Sequence, residues 1–163
     1  MSSRIPVVRP ISWVATIPQF AAGTFAITIG ALFLGVEGAV LGSGSYLAYS
    51  FGSRILFLRS HRAGRALTAR ELFEEAIPEY EQSLQFFDRY SWIDRYRSIV
   101  LMSPSAICYR EMAMLNIAFC YGQIGDGKQM RYYYEECLKR FPESGMAQTS
   151  LRMLDLAESA VGT

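Results

Sequence analysis

Residues 17–58 read IPQFAAGTFAITIGALFLGVEGAVLGSGSYLAYSFGSRILFL, and Glu37 and Arg54 are the only charged side chains among them. A helix that crosses a bilayer needs about 20 mainly apolar residues, with a range of about 17 to 25. Two stretches meet that requirement, Ile17–Leu34 and Gly38–Leu58. Between them lies Gly35-Val36-Glu37-Gly38, whose glycines permit a tight reversal. The expectation is an all-α protein whose N-terminal part is a transmembrane helical hairpin. The first stretch is the shorter, and a re-entrant path stays open for it. A secretory signal fits poorly, because the apolar region is too long, no polar cleavage region follows, and a second hydrophobic stretch comes at once. A core hairpin of a soluble protein is the other alternative, although charge-free runs of this length are typical of lipid.

The flanking charges predict an orientation. Arg4 and Arg9 precede the first stretch, Arg59, Arg62 and Arg65 follow the second, and the connecting turn carries Glu37. The positive-inside rule then puts both ends in the cytoplasm, and the expected location is a bacterial inner membrane. Residues 1–16 form a cytoplasmic N-terminal segment, 17–58 the hairpin, 59–67 a basic juxtamembrane segment and 68–163 a helical domain. Pro18 sits where the first turn of a helix tolerates proline. Trp13, Tyr46 and Tyr49 serve as interfacial or packing aromatics. Small residues recur at every fourth position, as Ala22, Ala26 and Gly30, then Gly38 and Gly42, then Gly44, Ala48 and Gly52. Such rows let helices approach closely in lipid, either to close the hairpin on itself or to pack against another subunit or a second copy.

From Thr68 onward the pattern is helical. Thr68 with Glu71 reads as a capping box, ahead of an apolar stripe through Leu72, Phe73, Ala76, Ile77, Tyr80 and Leu84. Pro78 predicts a kink or a later start. Ser103-Pro104-Ser105 marks a break. A further helix spans 105–124 and ends at Gly125-Asp126-Gly127, another spans 128–140 and stops before Phe141-Pro142, and a last one spans 144–159 with Met146, Leu151, Leu154 and Leu156 as candidate buried positions.

Within this region Met114, Ile117, Ala118, Tyr121, Gly125-Asp126, Tyr134, Cys137, Leu138 and Pro142 fall at the motif positions of a tetratricopeptide repeat, which the segment from Ala113 to Pro142 resembles. Met130 stands where that family usually has Ala, which predicts looser packing. A weaker echo upstream joins Ala63-Gly64 to Ala76, Ile77, Tyr80, Ser83 and Leu84, at a spacing about 20 residues longer than the usual period of about 34. The aromatic stretch and the serine-proline break, about residues 85–104, are then an insertion. The resemblance implies protein or peptide binding in a groove lined by first helices, and it puts Asn116 where some members hold a peptide terminus. Its alternative role is a hydrogen bond between helices. A single repeat cannot bury its own apolar faces, so the insertion and the last helix must cap the stack, or a partner must.

The insertion itself carries Phe86, Phe87, Arg89, Tyr90, Trp92, Arg95, Tyr96 and Arg97 as candidate partner-binding residues. Aromatics and arginine are enriched at interface cores. The same residues suit a bilayer surface or an internal core, and Tyr132-Tyr133-Tyr134 has the same ambiguity. Catalysis has little footing: His61 is the only histidine, and Asp88 and Asp94 share a helical face poorly. No phosphate loop, zinc pattern or nucleophile elbow is present, so no enzyme, cofactor or metal is expected. Cys108, Cys120 and Cys137 sit at helical spacing among apolar residues and read as buried thiols. The mildly acidic C-terminal part speaks against nucleic acid. The function expected is a membrane-anchored scaffold or adaptor that binds a protein partner through its helical domain. The alternative is a small accessory subunit or assembly factor docked through its glycine-rich hairpin.

Overall fold

A computed structural model of the chain describes residues 13–161, so Arg4, Arg9 and most of the expected N-terminal segment lie outside the described part. The described residues form eight helices, α1 (Trp13–Phe57), α2 (Arg59–Thr68), α3 (Phe73–Arg89), α4 (Ser91–Arg95), α5 (Arg97–Val100), α6 (Tyr109–Gln123), α7 (Gly127–Arg140) and α8 (Gly145–Val161). They contain no strand. They belong to two compact units. One holds residues 60–89 with 109–161, the other α1 with residues 90–108.

In the second unit α1 is helical throughout except at Gly35, where φ of 60° and ψ of −138° break the regular geometry. Only glycine adopts that conformation without strain. The parts on either side of Gly35 touch. A methyl group added at Gly30 would overlap the carbonyl of Gly38, one at Gly38 would overlap that of Gly30, and one at Gly42 would overlap that of Ala26. Farther along, Gly23 lies under the Tyr46 ring, 3.4 Å from where its own Cβ would be, and the Tyr46 hydroxyl donates to the Gln19 carbonyl at 3.0 Å. Tyr46 is therefore a packing residue. Gly44 and Gly52, by contrast, face open space. Pro18 lies inside the helix instead of at its start.

Among the described residues α1 is the one helix long and apolar enough to cross a membrane, by length and composition. Along its apolar length nearly every residue is exposed or only half-buried. Leu32 and Phe33, at 75% and 81% exposure, are typical of its outward side.

The first unit is a stack in which α6 packs on α3 and on α7, and α7 packs on α8. Two clusters fill it. Ala76, Ile77 and Tyr80 of α3 meet Ile117 and Cys120 of α6. Met114, Leu115 and Ala118 of α6 meet Tyr134 and Cys137 of α7 and Ala147 of α8. Burying one such aliphatic side chain contributes about 1.5 to 3 kcal/mol.

Several local expectations change. Thr68 ends α2 instead of capping α3: its hydroxyl donates to the Gly64 carbonyl at 2.9 Å and lies 3.1 Å from the Tyr80 hydroxyl. Glu71, at φ of 64°, belongs to the turn that follows. The helix runs through Pro78 on an exposed side, where water can solvate the carbonyl that lacks a partner. The helix expected from residue 105 begins at Tyr109, because Ser105 is held in a loop by its own hydroxyl, which donates to the Ile107 carbonyl at 2.8 Å. On α8, Met146 and Leu156 are exposed and Ala147 is the residue fully buried, so the buried face is narrower than expected.

Gly122 takes up the volume of Met130: a Cβ there would collide with the Met130 sulfur.

Burial also shifts the ionisable groups of this core. Tyr80 rises from the ordinary 10.0 to about 12, mainly by burial and partly offset by its Thr68 hydrogen bond. Cys137 rises from 9.0 to about 11, again mainly by burial. Raised values mean that the folded state holds these protons more tightly than the unfolded chain does. Their contribution is complete below the unfolded values and lost as pH climbs through the folded ones.

Two outcomes are expected. In detergent, Gly38→Ala lowers the resistance to denaturation by about 1 to 3 kcal/mol through overpacking, whereas Gly44→Ala is neutral or stabilising, both read from thermal melts. Stability of the helical stack falls between pH 9 and 12, with Tyr80 accounting for on the order of 2 kcal/mol. Tyr80→Phe shows a smaller fall across the same range in denaturant titrations.

Candidate functional site

The sequence-derived partner surface is not continuous. In the stack, Phe87 is completely buried and stacks on Tyr109 at 5.1 Å and 13°, while Phe86 meets Phe87 edge-on. Phe87 is a core residue because the apolar stripe of α3 extends to the helix end. Arg89 closes that helix on its exposed side.

In the second unit, Arg97 is also structural. Its guanidinium donates to three main-chain carbonyls, those of Asp94 (3.2 Å), Ser105 (3.2 Å) and Ala106 (3.0 Å), and so folds the loop after α5 back onto α4. A planar fork of donors suits this task as a lysine ammonium does not. Arg54, at the end of α1, does the same for the Leu101 carbonyl at 3.0 Å and for that of Met102, and the Tyr49 hydroxyl donates to the Val100 carbonyl at 3.1 Å. Ile93, Leu101 and Met102 are buried. Tyr90, Trp92, Arg95, Tyr96 and Ile99 are exposed. Of the candidates in the insertion, the exposed aromatics and Arg95 remain available to a partner.

On the stack, Asn116 lies half-buried on α6. The three consecutive tyrosines divide as helical geometry requires. Tyr134 is buried, Tyr133 donates to the Glu81 carboxylate at 2.9 Å, and Tyr132 is exposed. Burial first, and then the neighbouring Glu81 carboxylate, raises the Tyr133 pKa. A shallow apolar cleft of about 220 Å³ opens between α7 and α8, lined by Met130, Tyr134, Ser150, Met153 and Leu154. Arg131 clips the two helices through Asp155 at 2.8 Å and Glu158 at 2.9 Å. Beside the cleft, Met153 and Leu156 are 65% and 70% exposed. Sequence reading placed Leu156 in the core and did not single out Met153. The signal was that α8 has apolar residues on more than one side.

Among the small residues of α1, Ala26, Gly30, Gly38 and Gly42 lie between its two parts and Ala22 is half-buried. Gly44, Ala48 and Gly52 form an exposed row. His61 is buried and edge-on to both Tyr80 and Tyr109, with its Nδ1 3.4 Å from the Ser83 hydroxyl. The enclosing rings make it a core residue of the stack, not a member of an open basic segment. No group of three His, Cys, Asp or Glu side chains that could hold a metal occurs among the described residues.

Replacing Arg97 by Ala leaves the Asp94, Ser105 and Ala106 carbonyls without their donor. The expected result is faster protease cleavage within 97–106, with the far-UV circular dichroism of the whole chain nearly unchanged. Arg97→Lys restores protection only in part.

Comparison with family models, with curated proteins and with solved structures gives no match.

Proposed function

We propose that this chain is a membrane-anchored protein–protein interaction module: α1 is a helical hairpin in the bilayer, and the stack of α3, α6, α7 and α8 is a tetratricopeptide-like domain that recruits a protein partner on the cytoplasmic side. The observation that carries the anchor is the row of large apolar side chains, Phe20, Phe25, Leu32 and Phe33 among them, left exposed along α1. An apolar surface of this kind is unfavourable in water and neutral in lipid. With Gly30 on Gly38 and Ala26 on Gly42, the reversal at Gly35 keeps the backbone polar groups of both parts within helices, as lipid demands.

The repeat reading is supported by where its motif residues fall. Met114, Ile117, Ala118, Tyr134 and Cys137 are all core residues, as are Ala76, Tyr80 and Ser83 of the upstream echo. Gly64 lies against the Tyr80 ring, 3.0 Å from where its Cβ would be, so the small residue of α2 accommodates the large one of α3. The cleft between α7 and α8, lined in part by Met153, together with the exposed Leu156 of α8, is the docking surface of this reading, in place of the first-helix groove that the resemblance implies. Nothing about it suggests catalysis.

A second reading is favoured by the exposed row Gly44, Ala48 and Gly52. Small residues on the outside of a membrane helix admit a second helix at close range. In that case the chain is an accessory subunit held by α1.

Affinity purification of the tagged full-length chain in mild detergent, followed by mass spectrometry, separates the two. Met153→Glu with Leu156→Glu reduces capture of a soluble partner at least about tenfold, as loss of a hot spot does, while Gly44→Leu leaves capture unchanged. The reverse pattern establishes the accessory-subunit reading. Gly42→Leu is unsuitable for this purpose, since Gly42 packs within α1.

A further inference from the structure

Residues 90–102 present a row of exposed apolar side chains, and several main-chain carbonyls in and just after this segment are bound by side chains. Trp92, Tyr96 and Ile99 are 54%, 54% and 52% exposed, while Ile93, Leu101 and Met102 are buried. The carbonyls of Asp94, Val100, Leu101, Met102, Ser105 and Ala106 all accept hydrogen bonds from side chains of the same unit, those of Tyr49, Arg54 and Arg97. Leu101 and Met102 are buried, so their carbonyls need protein donors in any solvent. The pairing leaves the loop able to sit at the edge of the hydrocarbon, where unpaired carbonyls cost free energy.

The attachment point is equally specific. Tyr49 and Arg54 are in the last turns of α1, so α5 is pinned beside the end of the apolar helix, where Phe51, Ile55 and Leu56 are themselves exposed. The charged residues at this end of the unit are Arg54, Arg59, Arg95 and Arg97, with Asp94 as the one acid, and Asp94 is fully buried. Exposed aromatics with an exposed arginine at a helix end match the headgroup level of a bilayer, where rings with one polar edge are favoured and basic side chains meet anionic phosphates.

We propose that α4 and α5 form an interfacial lipid-binding segment, with Trp92, Tyr96 and Ile99 inserted at the boundary between headgroups and acyl chains of the bilayer that α1 occupies. The proposal rests on the membrane reading of α1. It assigns the exposed insertion aromatics to lipid instead of to a protein partner, and it makes the segment an amphipathic anchor that fixes the depth and rotation of α1.

The chain contains two tryptophans, Trp13 in α1 and Trp92 in α4, and each can be made the sole reporter. The full-length protein is reconstituted in vesicles of phosphatidylcholine and phosphatidylglycerol that carry bromine either just below the headgroup or deep in the acyl chain. In Trp13→Phe, Trp92 fluorescence is expected to be quenched several-fold more by the shallow bromines than by the deep ones. Iodide in the water should quench it several-fold less than in the unfolded chain. In Trp92→Phe, quenching of Trp13 by either lipid reports that α1 is in the bilayer. If Trp13 is quenched and Trp92 is not, the interfacial segment is refuted and the membrane anchor stands. Trp92 shielded from both iodide and bromine means that protein covers the segment, which likewise overturns the proposal. If neither tryptophan responds to brominated lipid, the membrane reading falls and the interfacial segment with it.

Discussion

Much of the second unit depends on one constraint, the contact of backbone with backbone between Gly30 and Gly38. No side chain of any size fits between these residues, so the two parts of α1 meet at a separation that only glycine allows. The consequences spread from there. Gly35 must adopt its left-handed conformation to bring them together, Ala26 and Gly42 continue the approach, and Gly23 receives the Tyr46 ring one step farther on. With Ala26, Gly30, Gly38 and Gly42 used on the inside, large apolar residues such as Leu32 and Phe33 are left outside. Packing of this kind relies on dispersion and on weak contacts between Cα hydrogens and carbonyls, which are additive over a long row and do not require water to drive them.

The stack is built on the opposite principle. There, large side chains interdigitate, and two glycines make room for bulky neighbours: Gly64 for Tyr80, and Gly122 for Met130. Polar groups that enter this core do so with partners, as Thr68 does with Gly64 and Tyr80, and Tyr133 with Glu81. Cys120 and Cys137 behave as small hydrophobes whose thiols burial holds in the protonated form.

Helix type was legible from periodicity for α3, α6, α7 and α8, and so was the stop at Gly125; the Asp126 cap, whose side chain accepts from the Gln129 amide at 3.0 Å, was not singled out. These are local features. The break in α1 at Gly35 was legible for the same reason, since Gly35 and Gly38 stand close together within an otherwise apolar run. What could not be read depended on distant partners. Thr68 fits a capping box equally well whether or not the next residues turn left-handed, and Tyr80, which claims its hydroxyl, lies a helix away. Phe87 and Arg97 suited a partner surface, a bilayer surface or an internal core, and the sequence did not choose among them. Tyr109 and three carbonyls give them internal roles that no spacing rule contains. Arg54 stood out only as a charged residue inside the second apolar stretch, and its bonds to residues 101 and 102 depend on partners far along the chain.

The segment between α3 and α6 belongs to the same unit as α1, whereas α3 and α6 themselves pack together in the other. This interleaving has a consequence for how the chain is made. During synthesis α1 and α3 leave the ribosome first, but neither unit can finish then: the first lacks α6 to α8, and the second lacks the residues that Tyr49 and Arg54 hold. Pairing α3 with α6 means closing a loop whose middle is bound elsewhere. Seating residues 90–108 on α1 beforehand removes much of that loop's freedom and lowers the entropic cost of the pairing.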